Sequence, residues 1–340
     1  MLEILRDVIW IPLFAISLIY SAIVRLLFSF RKVNKLSIPV LSVGNIHIGG
    51  TGKTPLVIKL AQHFKGHKPA IATRGYKSQV TPSGAQCDLS DQNGPQVFGD
   101  EPWLIALKSG CEVFIGKDRL RTLLRFHVEK NHSLVILDDG FQHTFLERAV
   151  DLVLIPGESD PSTSACIPLG TLRESLLSLK RASAVLLTSG AEENQNLTYW
   201  KNLIEQIAPG LPLFVAHRKP FQIMDSNHSP ARSQAGNWGA FCGIARPHRF
   251  FSDLKKWGEI RQELIFPDHH KYRKSDIQGI LKTGEKHGIF KWITTEKDYV
   301  KVESSFKSLS DSNSDLFYAP IDYEYPVEFL QFIERKLSAG

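Results

Sequence analysis

The chain has 340 residues, 43% hydrophobic and 22% charged, which is ordinary for a globular protein and long enough for one large core or two smaller ones. Its four cysteines, at 87, 111, 166 and 242, have no paired metal-ligand spacing and no disulfide-scaffold density, so they read as reduced, cytosolic and structural. A formal charge of +6 favours anionic partners (nucleotide, phospholipid surface, phosphorylated substrate), while no basic–aromatic platform or recognition motif supports a nucleic-acid binder.

The first thirty residues stand apart. Val8–Val24 contains 17 residues without a charge, about 25 Å as a helix and slightly short of a bilayer core. Pro12 falls early enough to disrupt little. Arg25, Arg31, Lys32 and Lys35 crowd the C-terminal flank, which places the downstream domain on the cytoplasmic side and would attract anionic headgroups. The expectation is a helix inserted in, or lying along, the cytoplasmic face of a membrane; a buried core helix is the competing reading.

An apolar, β-branched run, Leu36–Val43, then leads into Val-Gly-Asn-Ile-His-Ile-Gly-Gly-Thr-Gly-Lys-Thr-Pro, residues 43–55. A helical pattern comes next, with Leu56, Val57, Leu60, Ala61 and Phe64 on one face. Strand, glycine-rich turn and helix opened by Gly-Lys-Thr is the layout of a phosphate-binding loop. Candidate nucleotide contacts are His47, Ile48, Gly49, Gly50, Thr51, Gly52, Lys53 and Thr54, with Lys53 reaching the β- and γ-phosphates and the Thr54 hydroxyl on Mg²⁺. His47 stands where the general pattern has its first glycine, so the loop is a variant.

Beyond it, short apolar strands at Ala70–Thr73, Val113–Ile115, Leu134–Leu137, Leu152–Ile155 and Val185–Thr188 alternate with helical stretches Trp103–Lys108 and Asp118–Glu129. Such runs suit a parallel sheet buried on both faces. Thr81–Gly99 reads as an exposed loop, and a second α/β block has strands near Leu213–Ala216, Ala240–Gly243, Ile289–Thr294 and Leu316–Pro320.

Five groups carry candidate chemistry. Asp138 and Asp139 end an apolar strand, where an NTPase holds its metal carboxylate; an Asp-Asp-Gly turn is the alternative. Asp100 and Glu101, before Pro102, form either an acidic helix start or a catalytic base beside the nucleotide. Asp268-His269-His270 is a metal ligand set, an Asp–His pair or a polar turn. Arg74-Gly75-Tyr76 and Gly170-Thr-Leu-Arg173-Glu174 set arginines beside glycines at the sheet's carboxyl edge, as anion recognition requires.

Taken in order, these motifs resemble the tetraacyldisaccharide 4′-kinases, which make lipid A in Gram-negative bacteria. The most specific are Asp138-Asp139-Gly-Phe-Gln-His143 and Thr294-Thr-Glu-Lys-Asp298, and the series spans residues 40–300. Leu169 and Thr171 depart from the family's Pro-Ala-Gly-Pro-Leu-Arg-Glu run. The resemblance implies that ATP, with Mg²⁺, donates its γ-phosphoryl group to the 4′-hydroxyl of a tetraacylated glucosamine disaccharide 1-phosphate at the cytoplasmic face of the inner membrane. It implies no nucleic acid and no obligate protein partner. It makes Asp100 the base, with His269 as its orienting or charge-tuning partner and Lys53 on the phosphates. Thr54, Asp138, Asp139 and Glu101 fall at the metal; Arg74, Tyr76, His143, Arg173 and Glu174 line the substrate cleft.

The expected architecture is a mainly parallel α/β phosphate-loop domain over residues 31–205. A smaller α/β domain, 206–340, closes the cleft, and 1–30 form a membrane-associated helix. The alternative is a membrane-bound ATPase switch that recruits protein partners. A GTPase is excluded because Glu296-Lys297-Asp298 has the wrong spacing for guanine reading.

Overall fold

The computed structural model describes residues 12–14, 16–24, 26 and 32–338, apart from 77, 92, 191–193, 232–236 and 311–313. The expected membrane segment therefore lies partly outside the described residues, including Arg25 and Arg31 of its basic flank. Among the described residues no helix is long and apolar enough to cross a membrane.

Two sheets organise the chain. The larger contains β1 (Val40–Asn45), β2 (Pro69–Thr73), β3 (Ala85–Gln86), β4 (Val113–Ile115), β5 (Leu134–Asp138), β6 (Val150–Pro156), β7 (Ala184–Ser189), β8 (Leu213–Arg218) and β13 (Tyr323–Glu324). Their order is β13-β8-β7-β6-β1-β5-β2-β4-β3, with only the edge strands β3 and β13 antiparallel. The phosphate-loop strand β1 is thus central, and all six of its residues are buried. The smaller sheet, β10 (Ile260–Ile265), β9 (Trp238–Cys242), β11 (Lys291–Thr295) and β12 (Asp315–Ala319) in spatial order, is parallel throughout.

The helical stripe Leu56, Val57, Leu60, Ala61 and Phe64 is buried against one face of the large sheet, joined by Phe329 and Ile333 of the C-terminal helix Val327–Ser338. Each large apolar side chain of this kind contributes about 1.5–3 kcal/mol when fully buried. On the other face, Ile46, Phe141, Val153, Leu172 and Trp200 form a second cluster. Gly44 permits this layer, because a β-carbon there would stand 2.5 Å from Phe141.

Three readings are corrected. The strand expected near Leu213–Ala216 to open the second block is β8, Leu213–Arg218, and pairs instead with β7 in the large sheet, which β13 extends from near the C-terminus. The stretch Asp118–Glu129 is two helices, Arg119–Arg125 and Val128–Asn131, broken at His127 with φ of 50°. Thr81–Gly99 contains β3 and the short helix Gly94–Phe98 rather than loop alone.

Candidate functional site

In a parallel sheet, ligands gather at the carboxyl ends of the strands. There β1 runs into the glycine-rich loop, β5 ends in Asp138 and β2 ends in Thr73. Gly49 and Gly52 have φ of 103° and 85°, conformations open to glycine, and Gly52 caps the helix Lys53–His63. Asn45 donates to the Thr51 hydroxyl at 3.0 Å and so fixes the loop from below. Thr54 is buried at the first turn of the helix, and Ile48 is exposed.

The two adjacent aspartates have different partners. Asp138 is buried and accepts a hydrogen bond from Thr73 at 2.9 Å. Burial, reinforced by Glu101 and Asp139, pushes its carboxyl up to about 6 against the pull of Lys53. Asp139 sits at φ of 52°, the turn conformation that the Asp-Asp-Gly sequence permits. It lies 3.2 Å from Lys53 Nζ and 3.0 Å from Arg173 Nη1. Burial acts to raise its carboxyl, but Lys53 and Arg173 outweigh it and hold the group at about 2.

The acid–base pair is assembled from distant segments. Asp100 begins the helix Asp100–Ser109 and is buried. Its carboxylate lies 3.0 Å from His269 Nδ1 and 3.8 Å from Lys301 Nζ. Burial opposes ionisation, yet the His269 hydrogen bond and Lys301 keep Asp100 at about 2. Reciprocally, the hydrogen bond to Asp100 raises His269 above the ordinary histidine value. His269 has φ of 58°, and the Tyr76 ring stands edge-on to it at 5.8 Å. Glu101 pairs with Lys297, and Lys108 with Glu296 at 2.8 Å, tying this helix to Glu296–Leu309.

Asp298 explains the buried end of the Thr-Thr-Glu-Lys-Asp motif. It is fully buried, accepts from the Gly243 amide and the Thr295 hydroxyl at 2.8 Å each, and lies 2.6 Å from Lys301. It therefore fixes the lysine that faces Asp100.

Other candidates sit differently. The His47 side chain is buried edge-on to Trp200 at 5.5 Å, and burial with nearby Arg246 pushes it down to about 4, so it is neutral. Glu174 is buried in a network with Arg181 at 2.9 Å and Gln142 at 2.7 Å, and Gln142 also donates to the Asn45 carbonyl. His143 is buried beside Phe145, and Tyr76 is exposed. Arg119 is a site residue that the sequence pattern does not mark. It is 7% exposed, its Nε has no hydrogen-bond partner among the described residues, and Asp139, Asp138 and Arg74 are among the charges it feels. Its place just beyond the carboxyl end of β4 is the same signal that marks Arg74. Among the described residues no three His, Cys, Asp or Glu side chains form a metal cage.

Strand, loop and helix around a lysine–aspartate pair define a phosphate-loop α/β protein. The family model for tetraacyldisaccharide-1-P 4′-kinase matches residues 9–338. A tetraacyldisaccharide 4′-kinase of Desulfotalea psychrophila is 35% identical over 293 residues, covering 81% of each chain. One from Aeromonas hydrophila is 30% identical over 92% of this chain and 86% of its own, and one from Desulfatibacillum aliphaticivorans is 32% identical over 96% and 92%. The crystal structure of LpxK from Aquifex aeolicus in complex with ATP superimposes with a TM-score of 0.72 at 26% identity, covering 97% of this chain and 99% of that one. The chain belongs to the tetraacyldisaccharide-1-P 4′-kinase family, and so is a kinase whose acceptor is a hydroxyl group. These relatives give the ATPase-switch alternative no support.

Proposed function

We propose that this chain transfers the γ-phosphoryl group of ATP to the 4′-hydroxyl of a tetraacylated glucosamine disaccharide 1-phosphate, giving the bis-phosphorylated lipid A precursor. The observation that carries the reading is the pairing of a phosphate loop, with Lys53 held by Asp139, and an acid–base pair, Asp100 and His269 at 3.0 Å. Phosphoryl transfer asks chiefly for positioning and charge neutralisation. The loop amides and Lys53 would cradle the phosphates, with Arg173 holding Asp139 beside them; Asp100 would accept the hydroxyl proton, with His269 setting its charge; Arg74, Tyr76 and His143 would line the acceptor cleft. The network around Glu174 supports a role in holding the phosphate-loop strand rather than a direct contact.

Thr54 and Asp138 are the residues that would hold Mg²⁺, with Asp139 and Glu101 beside them. The fit rests on Asp138, a buried carboxylate hydrogen-bonded to Thr73, and on the preference of Mg²⁺ for one or two carboxylates plus substrate phosphates. The ion would supply charge neutralisation on the phosphates when bound.

The acceptor is a lipid, so the site would work at a headgroup layer, on the cytoplasmic face of the inner membrane. Exposed Ile16, Ile19, Ile23 and Leu26 recur at spacings of three and four and present one apolar helix face, with Lys32 and Lys35 following. The large-sheet domain, chiefly residues 31–205, would hold nucleotide, and within 206–340 the small-sheet elements that carry His269 and Lys301 would close over it. ATP consumption should depend on added tetraacyl disaccharide 1-phosphate and yield a bis-phosphorylated lipid. Equal ATP consumption with and without that lipid would overturn the reading.

A further inference from the structure

The helical residues 16–24 have an inner face as well as an apolar outer one. The Ser17 hydroxyl is buried and donates to the Cys166 carbonyl at 2.7 Å, and the Tyr20 hydroxyl donates to the Arg173 carbonyl at 3.1 Å. Both acceptors belong to the segment 163–173, a compact strap closed by Thr171 N to Thr163 O and Leu172 N to Ala165 O. Gly170 is required in it, because a β-carbon there would stand 2.4 Å from the Thr163 and Ala165 carbonyls. The strap is bonded in turn to the phosphate loop. Ile48 N donates to Thr171 O at 2.9 Å, Arg173 N donates to Ile46 O at 2.7 Å, and His47 bridges Leu172. The Arg173 side chain then grips Asp139, which grips Lys53.

An unbroken series of contacts thus runs from Tyr20 to the phosphate-handling lysine. Tyr20 packs beside the cluster containing Ile46 and Leu172 and spends its hydroxyl on the backbone carbonyl of a residue that contacts both the loop and Asp139. We propose that Tyr20 is a positioning residue for phosphoryl transfer: it holds Arg173 from the lipid-facing helix, and so ties that helix to the geometry of Asp139 and Lys53. The proposal rests on the lipid-kinase reading of the site. It predicts an effect on turnover rather than on acceptor capture, because the outward stripe at 16, 19, 23 and 26 does not include Tyr20.

Tyr20→Phe removes the hydroxyl and leaves the ring in place. In mixed micelles of detergent and tetraacyl disaccharide 1-phosphate it should lower kcat about three- to tenfold, the range of one neutral hydrogen bond. KM for the lipid, sedimentation with anionic phospholipid vesicles and the thermal unfolding midpoint should stay as in wild type. Introduced into Arg173→Ala, the same change should have no further effect, since residues in one network are not additive. Ser17→Ala, which loosens the other end of the strap, should repeat the kcat-only loss more weakly, and serves as the test if Tyr20→Phe lowers the unfolding midpoint. Wild-type kcat in Tyr20→Phe, a full multiplicative loss in the Arg173→Ala background, or a loss confined to lipid KM and vesicle binding would each overturn the proposal. Wild-type protein assayed alongside separates the two claims: failure to phosphorylate the lipid overturns the kinase reading, whereas equal turnover by wild type and Tyr20→Phe overturns this one alone.

Discussion

The phosphate wall of the site and its Asp100–His269 wall hold their carboxylates by different means. On the phosphate wall the buried Asp138 is pushed up to about 6, while its half-buried neighbour Asp139 stays at about 2 because Lys53 and Arg173 outweigh its partial burial. On the Asp100–His269 wall, where helix Asp100–Ser109 of the large-sheet layer meets the small-sheet elements, Asp100 also stays at about 2, but its strongest compensating partner is an imidazole that titrates. Loss of water acts to raise all three, most completely at Asp138, and the partners decide the charge. A fixed cation makes Asp139 a permanent clamp on Lys53. A histidine makes Asp100 adjustable, and Asp138 is the carboxylate a further cation would complete.

The largest effect expected from breaking this comparison is on the clamp. Lys53→Ala should abolish phosphoryl transfer with the fold intact, because Lys53 acts on phosphate charge and not on the core; near-wild-type turnover would remove the phosphate-loop assignment. On the other wall, Asp100→Ala should cut kcat by about 10²–10⁴ with little change in ATP binding. His269→Ala should act in the same direction less severely, and the double variant should be little worse than Asp100→Ala alone. A loss seen chiefly in ATP binding would make Asp100 a helix cap or a metal ligand.

Asp298→Ala sharpens the contrast between a carboxylate that supports the site and one that reacts. Removing one partner of a buried ion pair costs about 3–5 kcal/mol. Its signature should be a lowered unfolding midpoint, and a midpoint equal to wild type would contradict the anchoring role of the Asp298–Lys301 pair.

The smallest effect concerns pH. Asp138 has a folded value raised above the unfolded one, so its contribution to stability is present at low pH and is lost as pH rises from about 4 through about 6. In metal-free protein, Asp138→Asn should therefore be more stable than wild type at pH 7, by on the order of 3 kcal/mol, and lose that advantage near pH 4. Unfolding midpoints across this range check it. A constant difference would mean Asp138 does not titrate there.

The two walls also differ in how far the sequence reveals them. The phosphate wall is local: strand, loop, lysine and helix succeed one another, and the glycines announce the required backbone. Asp138 and Asp139 are legible from their place at a strand end, and the two readings, turn and site, prove compatible in the positive φ of Asp139. The Asp100–His269 pair spans 169 positions, and no spacing rule connects them; the motif resemblance alone brings them together. The run Leu213–Ala216 is misassigned by pattern because an apolar run states that a strand is buried without naming its neighbour. Arg119 escapes because a basic residue after a helix cap looks like surface until its burial is seen.

The central claim, that His269 adjusts the charge of Asp100, is tested most directly by the pH dependence of kcat in wild type and His269→Ala. As pH rises above the ordinary histidine range, the wild-type imidazolium, held above its usual value by the hydrogen bond to Asp100, loses its proton and ceases to depress the carboxylate. Wild-type kcat should rise through that titration, whereas His269→Ala, left with only Lys301 and Lys297 beside Asp100, should give a flat profile at lower rate. Profiles of the same slope in both proteins would contradict the account.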